Sequence, residues 1–202
     1  MGTRGALGFK VNNKYKIAYN HFDSDSECLG QDVVTFCEKV AKSNGFDALR
    51  EKARAVELIK EGAIPLGKHR KKYKDHTNLN VGEQSLNDWY CLLRRFQGVS
   101  TLEGVNSGAL CHIVDYSEFL KDSLFCEYAY IINLDKNTLE FYRGFNTSPD
   151  KDSPLPFEQV GSGRNSVSAP DGYYPVRFVG SMPLDNINDD WKGFYKDEED
   201  EK

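Results

Sequence analysis

Two short runs near the start of the chain, "ALGFKV" and "YKIAYNH", alternate apolar and polar positions, and Asn12-Asn13-Lys14 lies between them. A period of two marks half-buried strands, and Asn tolerates the positive φ that tight turns demand, so the pattern predicts an opening β-hairpin. The period then changes. Val33, Val34, Cys37, Val40 and Ala41 recur at helical spacing over 31–43, and Ser43-Asn44-Gly45 stops them. A second amphipathic helix is predicted from an Asp47 N-cap through Leu49, Ala53, Val56 and Ile59 to Gly62. A third follows Ser85-Leu86-Asn87-Asp88, which resembles a capping box, with Trp89, Leu92, Leu93 and Phe96 on one face and Gly98 as its stop.

The second half returns to strands. "GALCHIVDYS" reads as one, "CEYAYIINLD" and "TLEFYRGF" as a hairpin joined at Asp135-Lys136-Asn137, and "YYPVRFVGSMPL" as the last. Residues 146–172 are rich in Pro, Ser, Gly and Asp without periodicity, a length that in compact domains marks a functional flap or a disordered insert. The order of hairpin, helices and further strands predicts an α+β fold, with a largely antiparallel sheet packed against amphipathic helices.

Composition narrows the class. No Pro/Ser-rich linker divides the 202 residues, so one domain is expected over 1–195, followed by an acidic, disordered tail over 196–202. With 39% hydrophobic residues the chain can bury a sizeable core. A net charge of -5 argues against a dedicated nucleic-acid binder, which needs positive surface to displace counterions from phosphates. No apolar run approaches the roughly 20 residues that span a bilayer, and no signal-peptide pattern opens the chain, so a cytoplasmic location without membrane attachment is expected. Position 6 is Ala where a myristoylation signal wants Ser or Thr. Cysteines 28, 37, 91, 111 and 126 are odd in number and scattered, and read as reduced core thiols. Neither His69 with His76 nor His21 with Asp23 makes a large enough set for a metal site, and no cofactor is expected.

Chemistry concentrates in two places. "GKHRKKYKDH" (67–76) gathers five Lys/Arg and two His in a predicted loop. It reads either as a solvated charge run or as a flap in which Lys68 and Arg70 hold a phosphate. Arg164, within Gly161-Ser162-Gly163-Arg164, is a further candidate for such a ligand, although no dinucleotide or P-loop spacing is present. The other place is "KIAYNHFDSD" (16–25), where a strand ends in polar side chains. Alternation puts Tyr19, His21 and Asp23 on one face, with Asn20 and Phe22 on the other. A His beside a carboxylate is a base tunable near neutral pH, whereas the plainer reading has Asp23 or Ser24 capping a turn and His21 bonding a backbone carbonyl.

"MGTRG", then "YNHFDS" after one hairpin, then Leu29-Gly30 before a helix resemble a mostly uncharacterised family associated with bacteriophage and fungal genomes. "CEYAYIINLDKNTLEFYRGF" is similar to that family's acidic-aromatic hairpin, and Asp25-Ser26 departs from its frequent Tyr-Pro. More loosely, the hairpin resembles that of N-terminal-nucleophile (Ntn) hydrolases, with Thr3, Arg4, Asn20 and Asp23 at similar spacing and without the Arg of the bile-salt-hydrolase branch. That resemblance implies an Ntn-like fold. A terminal nucleophile at Thr3 would require removal of Met1 and Gly2, so either processing exposes Thr3 or, the favoured reading, the architecture is borrowed without the nucleophile mechanism.

Three functions follow. As a small-molecule hydrolase, His21 would be the general base or acid, Asp23 its orienter and Arg4 the stabiliser of negative charge, with Thr3 beside them. As a binding protein, Tyr19, Asn20, Lys68, Arg70 and Arg164 would hold an anionic molecule such as a nucleotide. In a phage setting, which the resemblance alone implies, the ligand would be a host defence signal met in the host cytoplasm. As an interaction module, the aromatic hairpin or the acidic tail would meet a protein partner.

Overall fold

A computed structural model describes residues 2–43, 45–158 and 172–198. The predicted opening hairpin is there: β1 (Gly5–Val11) pairs antiparallel with β2 (Lys14–Asn20). Asn12 and Asn13 both take positive φ, 52° and 57°, as a two-residue turn requires. The Asp135 carboxylate accepts both of their N–H groups, at 2.7 and 2.8 Å. It ties this turn to the one joining β5 (Tyr128–Asn133) and β6 (Thr138–Arg143).

The main sheet has five strands in the order β2-β1-β5-β6-β7, with β7 spanning Arg177–Pro183. Three of its pairings are antiparallel and β1–β5 is parallel, so the fold is α+β with a mostly antiparallel sheet, as expected. Both faces are covered. Leu7, Phe9, Val11, Tyr130, Ile132 and Phe141 face the main core with α1 (Gln31–Lys42), α2 (Gly45–Ala55) and α5 (Val99–Ser107). Ala6, Ile17, Ala129, Ile131 and Tyr142 face a smaller core closed by Leu120, Leu155 and Val176. The alternation along β1 and β5 feeds both cores, which is why these strands read as nearly continuous apolar runs.

Several predicted elements differ. The second helix stops at Ala55, and Glu57–Ile59 instead form β3, parallel to β4 (His112–Val114) in a separate two-stranded sheet. Val56 and Ile59 satisfy a helical period and a strand equally well over so short a span. The third predicted helix shrinks to one turn, α4 (Trp89–Leu92), capped by Asp88, whose side chain accepts the Tyr90 N–H at 2.8 Å. Gly98, at φ 57°, starts α5 as well as ending the preceding segment. The basic stretch is no loop: Gly67–Tyr73 form α3, followed by a 3-10 turn over Lys74–His76. His69 and Tyr73 lie four apart and both are buried, so two anchors hold a helix that also carries Lys68, Arg70, Lys71 and Lys72. Arg164 and its glycines lie outside the described residues, as do the last four of the acidic tail.

Candidate functional site

Strand β2 ends at Asn20 because the chain turns back on itself there. Asn20 is buried and its amide donates to Phe22 O at 2.5 Å and to Ser24 Oγ at 2.8 Å. Asp23 takes φ 52°, a left-handed conformation that breaks the strand alternation. Ser24 N–H then reaches Thr3, 2.9 Å from its hydroxyl and 3.3 Å from its carbonyl. Asp25 caps the following turn by accepting Glu27 N–H at 3.1 Å and Cys28 N–H at 2.9 Å. The Tyr130 hydroxyl closes the arrangement from β5 by donating to Ser24 O at 3.0 Å. Thr3, Asn20, Ser24 and Asp25 therefore spend their polar atoms on holding the turn.

What remains for chemistry is Tyr19, His21 and Arg4. The Tyr19 hydroxyl lies 2.7 Å from His21 Nδ1. Asp23 is exposed and left-handed, so straight strand alternation does not extend to it, and the hydrogen-bond partner of His21 Nδ1 is Tyr19. Burial raises the Tyr19 hydroxyl above the ordinary tyrosine range, and the nearby Arg4 charge acts against that rise. Arg4 is anchored by its backbone, which donates to Glu127 Oε1 at 3.0 Å and accepts Glu127 N–H at 2.9 Å. Its guanidinium lies 4.8 Å over the Phe125 ring. Thr3 and Arg4 thus do return beside the strand end.

Tyr19 also lines two neighbouring cavities, together with Tyr90 and Tyr116. The Tyr116 and Phe119 rings stand 5.6 and 5.2 Å from that of Tyr19. This segment is held along the free edge of β2 by Tyr116 N–H donating to Ile17 O at 3.0 Å. The larger space is an open cleft of about 840 Å³ with Tyr19, Tyr90, Tyr116 and Phe119 as aromatic walls. Its charged lining is Glu61, Asp115, Glu118 and Asp122 against Lys60. Glu118 is paired with Lys121 at 2.7 Å, and Asp115 accepts Ser117 N–H at 3.0 Å. The cleft is acidic. The smaller cavity, about 50 Å³, has Trp89, Phe96, Leu110 and His112 among its walls.

Behind that inner cavity, α3 and β4 assemble a ring cluster that the sequence pattern did not single out. The Tyr73 hydroxyl accepts Cys111 N–H at 3.2 Å and sits 2.6 Å from His112 Nδ1. Burial first, then the His69 ring, holds His112 below the ordinary histidine range. A neutral His112 accepts the Tyr73 proton at Nδ1 and turns Nε2–H toward Glu57 Oε2, 3.6 Å away. Lys68 and Arg70 line neither cavity: the Arg70 guanidinium is fixed on Leu86 O at 3.1 Å and on Asn87 Oδ1. The structure therefore does not gather Tyr19, Asn20, Lys68 and Arg70 around one ligand. In sequence Trp89 sits on an apolar helix face, and nothing singles out Tyr90 or Tyr116 as lining a site.

Among the described residues no group of three or more His, Cys, Asp or Glu side chains is placed to hold a metal ion, and no helix is long and apolar enough to cross a membrane. No protein-family model, curated protein or solved structure matches the chain.

Proposed function

We propose that the protein binds a small, positively charged organic molecule in the cleft beside Tyr19. The observation that carries this reading is the lining of that cleft: four aromatic rings with four carboxylates against one lysine. Ring faces attract cations by about 0.5 kcal/mol when exposed and about 2 kcal/mol when water is excluded. With Lys121 balancing Glu118, carboxylates still outnumber lysines around the cleft, which adds attraction for a cation and repels phosphates, so a nucleotide finds less support here than an amine does. The volume suits a molecule of metabolite size.

A second reading, the small-molecule hydrolase, is favoured by one contact. Tyr19, a wall residue of the cleft, shares a hydrogen bond with His21 behind it, and such a pair can pass a proton to or from a bound molecule. Arg4 would then steady negative charge on the reacting group. The resemblances to the phage and fungal family and to the Ntn hairpin agree with a site at this strand end and leave the choice of chemistry open.

The test is calorimetric titration with a quaternary ammonium compound, a polyamine and a set of nucleotides, followed by recovery of each compound. The amines are expected to bind, Tyr116→Leu to weaken them about tenfold by loss of a ring face, and the recovered compounds to be unchanged. Binding of nucleotides in preference to amines overturns the reading. An altered compound, with the change lost in His21→Ala, moves the conclusion to the hydrolase.

A further inference from the structure

Helix α3 and the turn after it carry Lys68, Arg70, Lys71, Lys72 and Lys74, in a chain whose net charge is -5. The carboxylate between Gly67 and His76 is that of Asp75 alone. The four lysines are exposed, and among the described residues no carboxylate forms an ion pair with any of them. His69 and Tyr73 are the buried residues of α3, so helical spacing puts the lysines on its other sides.

Large apolar side chains border these charges in the open. Ile64, Leu66 and Leu86 are 65%, 58% and 44% exposed. Leu66 opens α3, and its carbonyl accepts the Arg70 N–H at 3.1 Å, which sets the two residues one helical turn apart on the same side. Leu86 comes from the segment before α4, and its carbonyl accepts the Arg70 Nε–H at 3.1 Å. Arg70 is thus flanked by two exposed leucines, with Ile64 two residues before the first. Lys74 follows Arg70 by one further turn, and Lys71 lies between them. None of these side chains lines either cavity.

We propose that this face, α3 with Ile64, Leu66 and Leu86 beside it, docks on the anionic surface of a lipid bilayer. The lysines answer acidic headgroups, and near such a surface each is worth about a fivefold change in binding. The exposed leucines and isoleucine enter the headgroup boundary, where removing apolar surface from water adds to that attraction. A nucleic acid would use the lysines and leave these apolar side chains in water, so their presence among the charges favours the bilayer. Contact of this kind needs no membrane-spanning helix. It goes beyond the expectation drawn from the sequence, which concerned spans and signal peptides. It is also independent of the cation-binding cleft, whose lining shares none of these residues.

The experiment is co-sedimentation of the full-length protein with vesicles of phosphatidylcholine, with and without phosphatidylserine. Binding is expected to the phosphatidylserine vesicles only, and to weaken as salt is raised. Lys71→Ala combined with Lys74→Ala should weaken it about 25-fold, the effect of two lysines lost together. Leu66→Ser combined with Leu86→Ser should weaken it about tenfold through lost apolar burial. Both pairs lie at the surface, and an unchanged circular dichroism spectrum checks that each variant is folded. No binding to phosphatidylserine vesicles, equal binding to phosphatidylcholine alone, or full binding by the lysine variant overturns the proposal. Full binding by the leucine variant also overturns it, and assigns the lysines to a purely ionic contact of the kind a nucleic acid makes.

Discussion

At the scale of single residues, polar side chains in this protein divide into those whose hydrogen bonds are complete and those whose bonds are not. Asn20, Ser24 and Asp25 are complete, each satisfied within the turn that ends β2. Tyr19 and His21 satisfy one another at a cavity wall. His112 is the residue whose environment sets a pH response. Its neutral form is favoured in the folded chain by burial and the neighbouring His69. The unfolded chain therefore takes up that proton first as the pH falls, and stability is full above an ordinary histidine pKa of about 6.5 and declines below it. Denaturant titrations between pH 5 and 8 should show this decline, and His112→Asn should flatten it. A slope that is identical in the variant assigns the decline to other groups.

At the scale of elements, the feature that opens the route to the site is the turn between β2 and α1, and its stability rests on caps. Asp25 accepts two N–H groups of the turn over Ser26–Gly30, which leads directly into α1. Asp25→Ala should therefore cost about 1 kcal/mol, read as a lower denaturation midpoint with an unchanged slope. An unchanged midpoint would mean that the Thr3, Asn20 and Tyr130 bonds hold the turn without the cap. Elements also show why some of the sequence was legible and some was not. The two hairpins announced themselves by alternation and by Asn at turn positions, both local properties. The basic helix α3 did not, because its burial depends on two residues, His69 and Tyr73, surrounded by charges. Strand β3 was hidden inside a helical period because three residues cannot establish a period of their own.

At the scale of the whole molecule, the sheet is the shared wall of two cores. Strand β1 gives Leu7, Phe9 and Val11 to one and Ala6 to the other, and β5 divides its residues in the same way. Neither core can lose its cover without exposing the back of the other's strands. The chain should therefore unfold in a single transition, with near- and far-ultraviolet circular dichroism giving coincident curves. Separate midpoints would divide the chain into independent units. The scale of the molecule also governs the site. Tyr19 on the edge strand, Tyr90 on α4 and Tyr116 after β4 are far apart in sequence and meet only because β3 and β4 pack beside the free edge of β2.

The sequence by itself determined the two hairpins, the first amphipathic helix, the α+β class and the polar stop at residues 20–25, because each depends on neighbours a few positions apart. Only the tertiary structure decided what that stop is for. It left Asp23 exposed in a left-handed conformation, paired His21 with Tyr19, and set β1 parallel to β5 across more than a hundred intervening residues. It also brought His69, Trp89 and His112 into one ring cluster. Periodicity carries no information about which distant residues will share a cavity, and long-range packing alone supplies it.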